Sequence, residues 1–141
     1  MMRQDWSNKW KSSTQPRKQR KFRANAPLHV KRKFLSVNLS KALRERFQKR
    51  SMVVRKGDEV IVLRGSLKGS KGTVEKVDLS REKVYVESVK IKKVDGSEVP
   101  KGLQPSNLQI TKLTTEDKQR QKIIEMSGVT GKNKSVKKES D

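Results

Sequence analysis

A chain of 141 residues with 30% hydrophobic side chains, 36% charged ones and a net charge of +21 holds apolar material for one small core, not for its whole length. Such an excess of positive charge points to a polyanion, with nucleic acid first, because neutralised phosphates release condensed counterions. The absence of cysteine excludes disulfides, thiolate metal sites and cysteine nucleophiles, and the lack of a long apolar run or a bulky amphipathic helix argues against membrane insertion.

The N-terminal thirteen residues contain no apolar stretch of the kind a secretory signal needs, which leads to an expectation of a soluble, intracellular protein. The charge is concentrated early. Residues 1–51 hold sixteen Lys and Arg against two acids, Asp5 and Glu45, and so carry +14 of the total; residues 52–113 carry +5 and residues 114–141 carry +2. Residues 1–26, containing QPRKQRKFRANA, show almost no apolar period and read as an extended basic arm that repels itself. Trp6, Trp10 and Phe22 are interleaved with its cations and suit either stacking on bases or packing on the rest of the chain.

Residues 27–51 read as a helical segment. Pro27 suits a first helical position, with Leu28, Val30 and Phe34 forming a ragged face. A second helix is capped by Asn38 or Ser40 and carries Leu39, Leu43 and Phe47 at i, i+4 and i+8. Leu43 and Phe47 should pack on the following domain, leaving Arg44, Arg46, Lys49 and Arg50 to face outward or toward RNA. His29 is the only histidine, so it builds no metal site; packing or hydrogen bonding is its expected role.

From Met52 the period becomes two. Strands are expected at 60–63, 73–77, 84–86, 89–94 and 108–113, giving five short strands in residues 52–113 and hence a small curled β-barrel. Asp78–Glu82 (DLSRE) reads as a turn, Asp95-Gly96 as a tight hairpin, and Pro100 and Pro105 as the bounds of an irregular segment. Residues 114–141 form a tail. Glu116 and Asp117 suit the N-terminus of a helix running through Ile124.

The first two strands of this domain are joined by Gly65-Ser66-Leu67-Lys68-Gly69-Ser70-Lys71-Gly72. Gly65, Gly69 and Gly72 permit a tight turn and close backbone approach, and amides in such a loop can face an anion. Arg64 at the base and Lys68 and Lys71 near the tip add the charge a phosphate contact needs. A nucleotide-triphosphate loop would require GxxxxGK[ST] leading into a helix, and neither is present. Asp58 and Glu59 are adjacent and so fall on opposite faces of a strand, which separates them as a catalytic pair. No Ser/His/Asp set or metal cluster can be assembled, so neither catalysis nor a cofactor is expected.

The stretch VRKGDEVIVLRGSLKGSKGTVEKVDL resembles a KOW motif, the short element of ribosomal proteins and some transcription elongation factors. Its flanks, RKFRANAPLHVKRKFLSVNLSKALRERF upstream and VDGSEVPKGLQPSNLQITKL downstream, look like the archaeal and eukaryotic form of the universal KOW-type large-subunit ribosomal protein, counterpart of bacterial large-subunit protein twenty-four. The resemblance spans residues 14–126. It implies an SH3-like five-stranded barrel with short helices in a basic N-terminal extension. It further implies binding to large-subunit ribosomal RNA, a part in early assembly, and a cytoplasmic place near the polypeptide exit tunnel. Neighbouring ribosomal proteins and factors at the tunnel exit would be its other partners, without homo-oligomers. The positions that carry over are Arg17, Lys18, Arg20, Lys21 and Arg23 in the arm; His29, Lys31, Arg32 and Lys33 in the following segment; and Arg55, Lys56, Arg64, Lys68 and Lys71 in the motif. Arg would fork onto phosphate oxygens and Lys would act as a point charge. Gln104 departs from the histidine common before PSN in the family. A KOW module of an elongation factor is the alternative, but its preceding mixed α/β domain needs more apolar residues than the first 51 provide.

Overall fold

A computed structural model describes residues 6, 7, 9 and 13–124. Two helices come first, α1 (Pro16–Asn25) and α2 (Leu28–Phe34), followed by β1 (Ser36–Leu39), α3 (Lys41–Phe47) and β2 (Ser51–Val53). The strands β3 (Glu59–Val62), β4 (Lys71–Asp78), β5 (Lys83–Lys92), β6 (Glu98–Leu103) and β7 (Leu108–Lys112) follow, with a short 3-10 turn at Pro105–Asn107 before β7. Residues 118–124 are helical.

The mainly-strand expectation holds, but the count of five does not. Seven strands form one sheet in the order β2-β1-β7-β3-β4-β5-β6. Of the two unexpected strands near the N-terminal side, β1 lies within the segment read as helical and β2 straddles its end at residue 51. Leu39 has two periods running through it: it opens the Leu39, Leu43, Phe47 series and it ends the alternation Val37, Leu39. The strand wins for Leu39 because Asn38 and Leu39 pair in parallel with Gln109 and Ile110 of β7, a partner some seventy positions away that leaves no local trace. Helix α3 therefore starts at Lys41, with Ser40 at its N-cap position.

The expected third and fourth strands are one strand, β5, whose register against β6 shifts between Tyr85 and Lys90. The segment around Pro100 is β6 rather than irregular. Pro100 faces Lys90, and β6 ends the sheet order, where a missing N–H costs no second ladder. The Asp95-Gly96 hairpin is present as expected. Gly96 has φ of +85°, and the Asp95 carboxylate accepts from both the amide and the hydroxyl of Ser97, which draws its pKa below the usual carboxylate range.

One buried cluster unites Leu35, Val37, Leu39, Met52 and Val54 from the N-terminal part with Val60, Val62, Val74, Val84, Val86, Val89, Leu103, Leu108 and Ile110 of the later strands. Phe47 closes one side, with Leu43 partly buried beside it, as their helical spacing predicts. Almost every member is aliphatic and most are β-branched, which suits a pleated, bent sheet. Burying each of these side chains stabilises the fold by roughly 1.5–3 kcal/mol before chain entropy is counted.

The arm differs most from expectation. Instead of extending, it forms α1, and Pro27 ends it by driving Ala26 out of helical ψ, to 137°. A run of like charges alone would unfold this helix; docking at its C-terminal half opposes that. Trp6 and Phe22 lie with ring centroids 5.0 Å apart, Phe22 and Phe34 6.5 Å apart, and the Trp6 indole donates to the Phe22 carbonyl at 3.1 Å. Trp6 and Phe22 thus pack rather than stand ready for bases; Trp10 lies outside the described residues.

Candidate nucleic-acid interface

The cations named from sequence fall into three places. Arg17, Lys18, Arg20 and Lys21 are exposed along α1. Arg23 is not available in the same way. Its guanidinium sits 5.6 Å from the Phe34 ring centroid and forms an ion pair with Glu82 in the turn between β4 and β5, so it ties α1 to the sheet. Glu82 holds φ of +55° there. Lys31 reaches toward the Ser80 carbonyl of the same turn at 3.5 Å.

The second place is a pair of adjoining grooves by α2 that share Arg32, Val53 and Arg55. One is lined by Arg32, Val53, Arg55, Lys56, Lys76 and Leu79, among others, and has a volume of about 700 Å³. The other, about 460 Å³, is lined by His29, Arg32, Lys33, Lys49, Arg55 and Arg120, among others. Arg32 and Arg55 face both. His29 is exposed and lines the second groove, among the candidate cations, where packing is not its role. Lys76 drew no attention in the sequence and Lys49 was expected only to face outward or toward RNA; the fold brings both to residues 29–33 and 55–56. Of the cations in and after α3, Arg44 donates to the Leu39 carbonyl at 2.8 Å and Lys49 to that of Ile123 at 2.9 Å.

Arg55 stands where these charges converge. Partial burial lowers its pKa from the ordinary guanidinium value, and the like charges of Arg32 and Arg120 push in the same direction. The nearby Asp58 carboxylate and an ion pair with Asp117 answer part of that repulsion. An anion entering either groove would answer more.

The glycine loop is the third place. It lies at the other end of β4, roughly 17 Å from Lys76 at the usual rise per strand residue. Gly65 and Gly69 have φ of +97° and +91° and open space where a Cβ would stand. Gly72 belongs to β4 and not to the loop. A Cβ there would meet Ser88 Oγ at 2.4 Å and Val86 Cγ1 at 2.8 Å, so its glycine serves strand packing. The loop amides are also less open to an anion than the sequence suggested. Those of Lys68, Gly69 and Ser70 donate to the carbonyls of Gly65, Val62 and Leu67. Arg64, Lys68 and Lys71 remain exposed side chains.

Sequence reasoning separated Asp58 from Glu59, and the structure does so: Asp58 is 0% exposed and Glu59 is at the surface. It missed what Asp58 does. Its carboxylate accepts a two-pronged pair from Arg120 at 2.6 and 2.7 Å and the amides of Arg55 and Thr114 at 2.9 and 3.0 Å. Arg120 also donates to the carbonyls of Thr114 and Val53, leaving Nε without a partner among the described residues. The 118–124 helix is thereby locked beside the second groove. Neither residue carries a local signal, since they are 62 positions apart. Among the described residues no three acids or histidines come together as a metal site, and no helix is long and apolar enough to cross a membrane.

Residues 13–127 match the family model that describes the eukaryotic L26 and archaeal L24 ribosomal proteins. Among curated proteins, the large ribosomal subunit protein uL24 of Methanocorpusculum labreanum is 54% identical over 106 residues, covering 75% of this chain and 88% of its own. The protein of the same name from Methanothrix thermoacetophila is 50% identical over 112 residues, covering 79% of this chain and 97% of its own.

Proposed function

Because the chain belongs to the family of eukaryotic L26 and archaeal L24 ribosomal proteins, we propose that it is seated on large-subunit ribosomal RNA by the cationic grooves beside α2, with α1 and the glycine loop as flanking contacts. As a member of that family it is a structural ribosomal protein of the large subunit, in the cytoplasm, and not an enzyme. The observation that carries the RNA-binding reading is the convergence of Arg32, Lys33, Lys49, Arg55, Lys56 and Lys76 around two adjoining grooves whose linings include a single carboxylate, Glu75. Separate stretches of chain supply these cations, and folding would not gather like charges without a polyanion to meet them.

The finer reading is that of a rigid body with a basic attachment. The curled sheet around one core supports an SH3-like barrel extended by β1 and β2. Contacts are to phosphates and RNA shape more than to base sequence. A role in early assembly, a position near the tunnel exit, and neighbouring ribosomal proteins or exit factors as partners follow from the family resemblance and belong to the same proposal. The family match takes in the arm and the start of the tail as well as the motif, which favours this reading over an elongation-factor module.

Sedimentation of a lysate containing the tagged chain, followed by crosslinking within isolated large subunits, tests the proposal. The expected result is co-sedimentation with large subunits and crosslinks from residues 29–33 and 55–56 to ribosomal RNA. Recovery with RNA polymerase instead, or crosslinks confined to protein, would overturn it.

A further inference from the structure

The 700 Å³ groove joins two kinds of wall. Its rim is cationic, from Arg32, Arg55, Lys56 and Lys76. Its floor is aliphatic: Leu35 and Val54 are buried beneath, and Val77 and Leu79 keep part of their surface open, Leu79 37% of it. Phosphate contact alone requires no such floor. Aliphatic surface under a ring of cations has the chemistry of a nucleotide lifted out of a strand, with a flat base below and a phosphate at the rim, in a volume typical of small-ligand sites.

Resting on the RNA-binding reading above, we propose that this groove takes one unpaired RNA nucleotide, its base against Val77 and Leu79 and its phosphate between Arg32 and Arg55. Glu75, the carboxylate on the lining, has no ion pair with another described residue and can accept from a base N–H; guanine presents two such donors side by side. The phosphate relieves the repulsion that Arg32 exerts on Arg55, which Asp58 and the Asp117 pair answer only in part. The base covers the open flank of Leu79.

The full chain, labelled with ¹⁵N, is titrated with guanosine 5′-monophosphate and separately with ribose 5-phosphate. The nucleotide should shift the amides of Val54, Val77 and Leu79, whereas the sugar phosphate should shift those of Arg32, Arg55 and Lys56 alone. Leu79→Ser, at an exposed turn position, should weaken the nucleotide about fivefold and leave the sugar phosphate unchanged. Arg32→Gln should weaken both. Ribose 5-phosphate reproducing the whole nucleotide pattern, or Leu79→Ser binding the nucleotide as the parent chain does, overturns the proposal. Binding of the parent chain to a large-subunit ribosomal RNA fragment, measured in the same preparation across a salt series, keeps the two readings apart. A chain that holds the fragment with steep salt dependence but ignores the nucleotide retains the RNA-binding reading and loses the groove.

Discussion

Gly72 and Gly65 look alike in the motif and do different work. At Gly65 the backbone takes φ of +97° with open space around it, so Ala costs only left-handed strain, on the order of 1 kcal/mol. At Gly72 a Cβ would press on Val86 and on Ser88, whose hydroxyl donates to the Lys71 carbonyl at 2.7 Å. Gly72→Ala should therefore cost roughly 1–3 kcal/mol, more than Gly65→Ala, as read from urea midpoints. An equal or smaller loss at Gly72 would show that β5 can yield there. On the RNA-binding proposal the exposed loop lysines act by charge alone. Lys68→Glu with Lys71→Glu should weaken binding to ribosomal RNA and reduce the salt slope by about two or more, with the circular dichroism unchanged. An unaltered slope would remove the loop from the interface.

Among the elements, the 118–124 helix depends most on a single contact. Asp58 is buried and takes four donors, two of them from Arg120. Arg120→Ala leaves that carboxylate with two amides and no countercharge, and should destabilise the protein by about 3–5 kcal/mol in chemical denaturation. A change below about 1 kcal/mol would mean that water reaches Asp58 and the lock is weak. Replacing both partners with aliphatic residues should cost less than the single change, since no charge is then stranded. The expected helix after Asp117 was legible because acids precede a run of good helix formers. Its attachment was not, because an ion pair between distant positions has no sequence period. Strand β1 was hidden for a related reason: four residues are too few to establish alternation against the overlapping Leu39, Leu43, Phe47 spacing, and β2, at three residues, is shorter still.

For the whole molecule, the RNA-binding proposal divides the labour between body and arm. Helix α1 buries no residue of its own, so the core should survive its removal. Deleting residues 1–26 takes away eight Lys and Arg and should lower RNA affinity, and flatten its salt dependence, more than the loop double mutant. Comparable affinities for the two variants would assign the arm to packing and the grooves to binding. The truncated chain also loses the Arg23–Glu82 pair, so a small drop in thermal stability should accompany the change.

Composition and charge by themselves pointed to a polyanionic partner, which the RNA-binding proposal takes up, and the period-two stretch after the basic arm foretold the strand-rich core. Net charge needs no fold to be counted, and alternation of β-branched residues is local. The KOW stretch carried the family likeness for the same reason, as a contiguous pattern. Only the tertiary structure decided that the arm is a docked helix, that seven strands share one sheet, that Asp58 and Arg120 meet in the interior, and that Lys49 and Lys76 join Arg32 and Arg55 around the grooves. Each of those depends on contacts between residues far apart in the chain, such as the parallel pairing of β1 with β7 and the single buried cluster beneath the sheet. Such pairings are set by which surfaces exclude water together, and no short window of sequence contains both.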